Sequence, residues 1–256
     1  MRINGSIIGS NVTPSFLSGA TGVWSMQNVD IANRSRVWPT DIVTNGLVLF
    51  LDANNTNSYP GSGTSWYDLS GNGNTGTLTN GPTFSNENGG TIVFDGVDDY
   101  VNVANASSLN ASAQTISVWY NATTLPGRSA TIVAKHDTVG SYNGYHMYTG
   151  NGADIKVGAT SYYAGPGTGI AAVWYNLTLA YTSNSSMTCY VNGVSSGTTA
   201  LGNLSISSNP LRIGRSPDSF WSIFTGKISV VTVHNRQLTA AEVLQNFQAT
   251  RTRFGV

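Results

Sequence analysis

Trp174-Tyr175-Asn176-Leu177-Thr178-Leu179-Ala180-Tyr181 is the stretch whose reading decides the fold. Its large apolar side chains fall on every second residue, so Tyr175, Leu177, Leu179 and Tyr181 share one face of an extended strand. A helix would scatter them, because its period is 3.6 residues. Further on, Met187-Thr188-Cys189-Tyr190-Val191 alternates in the same way and runs into Asn192-Gly193. An Asn-Gly pair is a tight-turn signal, since both residues tolerate positive φ.

The same signal recurs at Asn72-Gly73, Asn80-Gly81, Asn88-Gly89, Asn143-Gly144 and Asn151-Gly152. Between the turns lie short runs of β-branched and aromatic residues. They predict strands near 47–52, 91–95, 100–104, 115–121, 131–135, 145–149, 155–160, 174–182, 187–192, 211–214 and 227–234. Lys227 to Val233 is apolar on both sides near its middle, as a strand inside a sandwich would be. The chain closes with one convincing helix. Thr239 and Glu242 form a capping box, and Val243, Leu244 and Phe247 form its buried stripe. Many short strands and so little helix predict an all-β protein. Its expected architecture is a two-sheet antiparallel sandwich or jelly roll with an extended N-terminal arm and a short C-terminal helix.

Composition narrows the function. Only 9% of the 256 residues are charged, with 12 basic and 12 acidic side chains and no net charge. An ordinary globular protein carries roughly 25%. Neither nucleic acid nor an anionic membrane is an expected partner, because both require clustered Lys and Arg. With 40% hydrophobic and 10% aromatic residues the chain is not disordered. The one cysteine, Cys189, lies in an alternating strand and reads as a small buried hydrophobe. Met1-Arg2-Ile3-Asn4-Gly5-Ser6 lacks the apolar run of a signal peptide, and the longest apolar run, Leu47 to Leu51, is far too short for a membrane span. A cytoplasmically made, soluble protein is expected.

Residues 1–45 differ from the rest and read as an arm, leaving 46–256 as the domain. Ser25 is the expected cap of a short helix with Met26, Val29 and Ala32 on one face, which Pro39 would end. So short a helix cannot bury Trp24 and Trp38, which must pack on the domain or on another chain. They are the candidate assembly residues.

Gly46-Leu47-Val48-Leu49-Phe50-Leu51-Asp52, Trp66 through Asn74, and Val93-Phe94-Asp95-Gly96-Val97-Asp98-Asp99-Tyr100-Val101 together resemble the laminin-G-like, concanavalin A-like jelly-roll domains. Trp174-Tyr175-Asn176 with Tyr190-Val191-Asn192-Gly193 is similar to the central hairpin of that family, and Gly226 through Glu242 to its last strand and terminal helix. The resemblance spans roughly residues 46 to 250 and implies two stacked sheets of about six or seven strands. In the arm, Gly22-Val23-Trp24-Ser25-Met26 with Arg34 and Trp38-Pro39 resembles a segment preceding such domains in structural proteins of tailed bacteriophages. That implies a location on the virion surface for a protein synthesised in the host cytoplasm.

Three function classes remain. Glycosidases on this fold need two carboxylates facing each other across a sugar bond. Only Glu87 and Glu242 are glutamates, Glu242 belongs to the capping box, and no strand carries acids at alternate positions. His136, His146 and His234 have no catalytic or zinc motif around them. An enzyme is therefore not expected. The second class is glycan binding. Tyr142, Tyr145, Tyr162 and Tyr163 (with Tyr148) crowd the central hairpins. Exposed, they would stack on sugar rings; alternating, they would simply fill the sandwich. Calcium is a third signal, because Asp68 lies in one Gly-Asn loop and Asp95, Asp98 and Asp99 in another. Asx residues in such loops equally bond their own backbone. No cofactor is required, and a structural calcium is the one candidate. The ranking puts first a non-enzymatic virion component, a capsid decoration or fibre protein contacting other virion proteins and its own copies. A cell-surface glycan is a further partner. A free lectin-like module or adhesin is the alternative, and a glycoside hydrolase the remote one.

Overall fold

Strand β12 (Trp174–Thr182) shows why the chain folds into layers. Tyr175, Leu177, Leu179 and Tyr181 enter the main core, whereas Trp174 and Ala180 enter two smaller clusters on the opposite side of the same sheet. The alternation is therefore apolar on both faces, and both must be covered.

The computed structural model describes residues 41–256 apart from 125–128, 138–142, 150–152, 158–159 and 164–169; for 153, 154, 156 and 160–163 only the backbone is described. The arm with Trp24 and Trp38, and the Asn151-Gly152 turn, thus lie outside the described residues. In chain order the strands are β1 (Leu47–Asp52), β2 (Ser65–Trp66), β3 (Gly76–Thr79), β4 (Thr83–Ser85), β5 (Thr91–Asp95), β6 (Tyr100–Val103), β7 (Ala113–Ala122) and β8 (Ala130–His136). They continue as β9 (Gly144–Thr149), β10 (Ala153–Val157), β11 (Thr160–Tyr163), β12, β13 (Ser186–Val191), β14 (Val194–Ala200), β15 (Leu211–Ile213) and β16 (Thr225–His234). One helix, α1 (Ala240–Thr250), ends the fold.

The first sheet has the order β14-β13-β12-β7-β16-β5-β4, with β1 also paired to β16; the second runs β11-β10-β9-β8-β15-β6-β3-β2. Both have eight strands among the described residues, slightly more than the expected six or seven. The additional ones are the short β2, β3 and β4 and the hairpin partner β14. The run expected as one strand at 155–160 is a hairpin instead, β10 folding back on β11. Asn192 and Gly193 both take positive φ, 50° and 75°, and join β13 to β14. That turn geometry twists with the strands it connects.

The inner faces of both sheets meet in one core that includes Leu49, Ile116, Leu177, Leu179, Val231, Val101, Val133 and Ile213. Each such side chain, fully buried, contributes about 1.5–3 kcal/mol. The outer face of the first sheet is roofed by α1 and the residues after it. Trp119 on β7 stacks between Phe247 and Phe254, with centroids 5.6 and 4.1 Å away. Its indole N–H donates to Thr250 Oγ1 at 2.8 Å. The capping box forms as expected at Thr239 and Glu242. Val243 and Phe247 are buried, and the half-buried Leu244 packs against the cluster that holds Trp119 and Trp174.

A loop and the N-terminal segment close the first sheet. Asp68 organises the loop: its carboxylate accepts from the backbone N–H groups of Phe50, Ser70 and Asn74 and from the Ser70 hydroxyl. Together with Asn72, Asn74 and Ser58 it occupies the free edge of β1. The N-terminal segment already docks before residue 46. Val43 packs beside Ala180 and Tyr190, and its backbone is held by Asn246 and by His234 Nε2.

Candidate functional site

The outer face of the second sheet is crossed by a strap, residues 214–224, between β15 and β16. Its ends are sewn to β8: Gly214 N–H donates to Ile132 O, Thr131 N–H to Ser222 O, and Ser222 N–H to Ser129 O. In the middle, Ser216 is pinned by His136 Nε2 at 3.1 Å. The Asp218 carboxylate accepts from Phe220 N–H and shapes the tip.

β9 supplies what lies beneath. Tyr145 and Met147 point into the core, which leaves His146 and Tyr148 on the strap side. Trp221 of the strap lies 4.7 Å from the Tyr148 ring and 4.5 Å, edge-on, from His146. His146 Nε2 is held by Thr131 Oγ1 at 2.8 Å, and the Trp221 N–H is buried with no protein partner among the described residues. Phe220 packs edge-to-face on Trp221 and is itself 61% exposed. The strap therefore presents an aromatic ring to solvent from a base locked by packing.

The candidate tyrosines divide around this site. Tyr145 must be removed from any platform. It is 2% exposed, faces Tyr181 inside the sandwich, and burial pushes its hydroxyl pKa up. The cause is strand parity, since Tyr145 sits on the inner register with Val157. Tyr142 lies outside the described residues. In the β11 register, Tyr163 is paired to Asp154, the partner of Tyr148, and Tyr162 to Ile155. Sequence reasoning missed Phe220 and Trp221. Their signal was two adjacent aromatics in the loop-like stretch Gly214-Arg215-Ser216-Pro217-Asp218-Ser219-Phe220-Trp221-Ser222.

The aspartates divide too. Asp68 is fully engaged at the β1 edge, so it is not a candidate ligand. Asp95, Asp98 and Asp99, in the turn from β5 to β6, bring one carboxylate oxygen each within 4.8 Å of the others. Gly96 permits the turn at φ 81°, where a Cβ would stand 1.9 Å from Thr225 Oγ1. Asp99 is buried, and desolvation raises its pKa; Asp95 N–H opposes this, while the charges of Asp95 and Asp98 add to it. Three hard oxygen donors, one of them buried, fit a calcium ion as part of the six to eight ligands it takes.

Three further described carboxylates are paired with basic side chains. Glu87 pairs with Lys227, Glu242 with Arg236 and Asp52 with Arg253. His136 and Ser216 resemble a base and nucleophile in distance, but they are 1% and 2% exposed, and His136 Nδ1 lies 2.6 Å from the Asp137 carbonyl. The pair pins the strap and is sealed from a substrate.

Solved structures place this architecture in context. The chain is similar to the binding domain of Paraclostridial Mosquitocidal Protein 1, with 17% identity and TM-score 0.65 over 80% of this chain and 52% of that one. Domain 4 of an extracellular arabinanase from Geobacillus stearothermophilus, solved with arabinotriose, is similar at 16% identity and TM-score 0.62, over 79% of this chain and 98% of that domain. A Trypanosoma rangeli sialidase matches at 17% identity and TM-score 0.62, over 81% of this chain. The chain spans about half of the mosquitocidal fragment and a third of the sialidase, covering 52% and 33% of them. No curated protein matches the sequence. At these identities the likenesses establish the fold. The family model described as the concanavalin A-like lectin/glucanases superfamily, of laminin-G type, matches residues 95–244, more than half of the chain, and the chain belongs to that family.

Proposed function

We propose that this protein is a non-catalytic attachment module of a virion, holding a glycan at its strap and joined to the particle through its N-terminal arm. The observation that carries the glycan reading is the solvent-facing Phe220, seated on Trp221 above Tyr148 and His146. A rigid apolar ring on a strap whose sequence also carries Ser219 and Ser222 suits the C–H face of a sugar. It needs no charge, in keeping with a 9% charged chain. The arabinanase domain, bound to arabinotriose in its own structure, supports the reading by fold.

The virion reading rests on the sparsely charged composition, the arm and its resemblance to phage structural proteins. Val43 is anchored under α1 on the first sheet, whereas the strap crosses the second. A tethered arm and a bound glycan would not compete for one surface. Other virion proteins and further copies of the chain are the proposed assembly partners. At Asp95, Asp98 and Asp99 we propose calcium as a structural ion.

A glycan array run with and without chelator tests the reading. Selective binding by the wild type is expected, weakened about tenfold or more by Phe220→Ala, the worth of one aromatic anchor. Because Phe220 is exposed, the variant keeps its fold. A blank array for the wild type refutes the glycan function and leaves pure decoration. Loss of thermal stability on chelation would support the ion, and an unchanged melting temperature would remove it.

A further inference from the structure

Charge is distributed unevenly along the chain. From Val157 to Leu211 there is no Asp, Glu, Lys, Arg or His. This stretch contains β12, β13 and β14, and β14 ends the first sheet. Sheet edges are a hazard that natural proteins normally blunt with charge, proline or cover. Three of the other edges among the described residues, β1, β4 and β2, are covered or short. Asp68, Asn72, Asn74 and Ser58 occupy the free side of β1. β4 has three residues and β2 has two. β14 has seven, with sequence Val-Ser-Ser-Gly-Thr-Thr-Ala and no proline.

The edge is open on the described surface. Ser195, Thr198 and Ala200 are exposed, and Val194 is 67% exposed. A bulge opposite Cys189 and Tyr190 makes Ser196 an extra residue and twists the first part of the strand away. Beyond it the pairing is regular: Gly197 to Ala200 oppose Cys189 to Ser186, and Leu201 N–H continues the ladder to Ser185 O. Gly197–Leu201 is therefore the segment free to accept another strand.

We propose that this edge pairs with the same edge of a second copy, antiparallel about a two-fold axis, joining two first sheets into one. Three features select a second copy. An antiparallel strand is self-complementary under a two-fold, so each donor meets an acceptor without any change of sequence. The surface is uncharged, so two copies meet without like-charge repulsion, which would otherwise oppose self-pairing. Glycine, threonine and alanine side chains are small enough for backbones to approach to strand spacing, roughly 4.8 Å. The contact lies apart from the strap, so a dimer would carry two strap sites.

Sedimentation equilibrium of the full chain across the micromolar range tests this. The wild type is expected to dimerise. Ala200→Lys and Ala200→Glu, each at an exposed edge position, are expected to lower the association constant by about tenfold or more, as like charges across a strand pair repel. An equimolar mixture of the two variants is expected to associate again, because opposite charges then face each other. Unchanged melting temperatures of the variants show that folding is intact. A wild type that stays monomeric at every concentration overturns the proposal; slow amide exchange at Gly197–Leu201 in that monomer would assign the edge to the chain's own N-terminal segment. A dimer unaffected by either variant overturns it as well.

Discussion

Lys135 shows how far a single residue can depart from its composition class. It lies on β8 at 2% exposure, and its ammonium donates to Asn105 Oδ1 and to the carbonyls of Ser207 and Asn209, at 2.7–2.9 Å. It ties the loop after β6 and the segment after β14 to the second sheet. Burial lowers its pKa from 10.5 to about 8, partly offset by the charge of Asp137. Between those values the unfolded chain holds a proton that the folded chain has lost. Folding then releases a proton, so this group makes stability rise with pH across that window and contributes no slope below it. Thermal melts from pH 8 to 10.5 are expected to show that rise, and Lys135→Met to flatten it; equal slopes in both proteins would remove the assignment. None of this was legible in Ala134-Lys135-His136, where a lysine at a strand end reads as solvated. Asp68 is a similar case. As a bare letter it is a calcium candidate, and as a placed carboxylate it is the edge cap of β1.

Elements were more legible than residues. α1 was readable because its signals are local: Thr239 and Glu242 are three apart, and capping geometry follows from that spacing alone. Arg236 could not be read from spacing. Its guanidinium reaches Glu242 at 2.6 and 3.0 Å and holds the carboxyl pKa at about 2, with Thr239 assisting. The resulting stability is present above pH 4.5 and lost as pH falls toward 2. Glu242→Ala is expected to cost about 1 kcal/mol near neutrality, the usual worth of a lost cap. It should also flatten the acid limb of a pH–stability curve; a limb of undiminished steepness would place the acid sensitivity elsewhere. β14 was missed for the converse reason. Val194-Ser195-Ser196-Gly197-Thr198-Thr199-Ala200 has no apolar alternation, because none of its side chains is fully buried.

For the whole molecule the decisive feature is that the two outer faces are covered differently. The first is sealed by α1 and a C-terminal lock. Arg253 donates to Asp52 and Ser229, Asn88 donates to Arg253 O, and the Trp174 indole donates to Asn88 Oδ1. The arm is rooted on that side at Val43. Deleting residues 1–40 is expected to leave the β spectrum and melting temperature nearly unchanged and, on the proposed virion role, to abolish assembly onto the particle. Deleting 1–45 is expected to destabilise as well, since Val43 and its bonds to Asn246 and His234 are lost. Normal incorporation of the shorter deletion would refute a docking role for the arm.

The sequence alone determined the sandwich class, the alternating strands, the Asn192-Gly193 turn and the terminal helix. Each depends on neighbours a few residues apart, which a linear pattern records. The tertiary structure alone decided which tyrosine is buried, which aspartates converge, that Phe220 and Trp221 stand over β9, and which strand is left at an edge. Those outcomes depend on pairings between residues far apart in the chain, where one step of strand register reverses inside and outside.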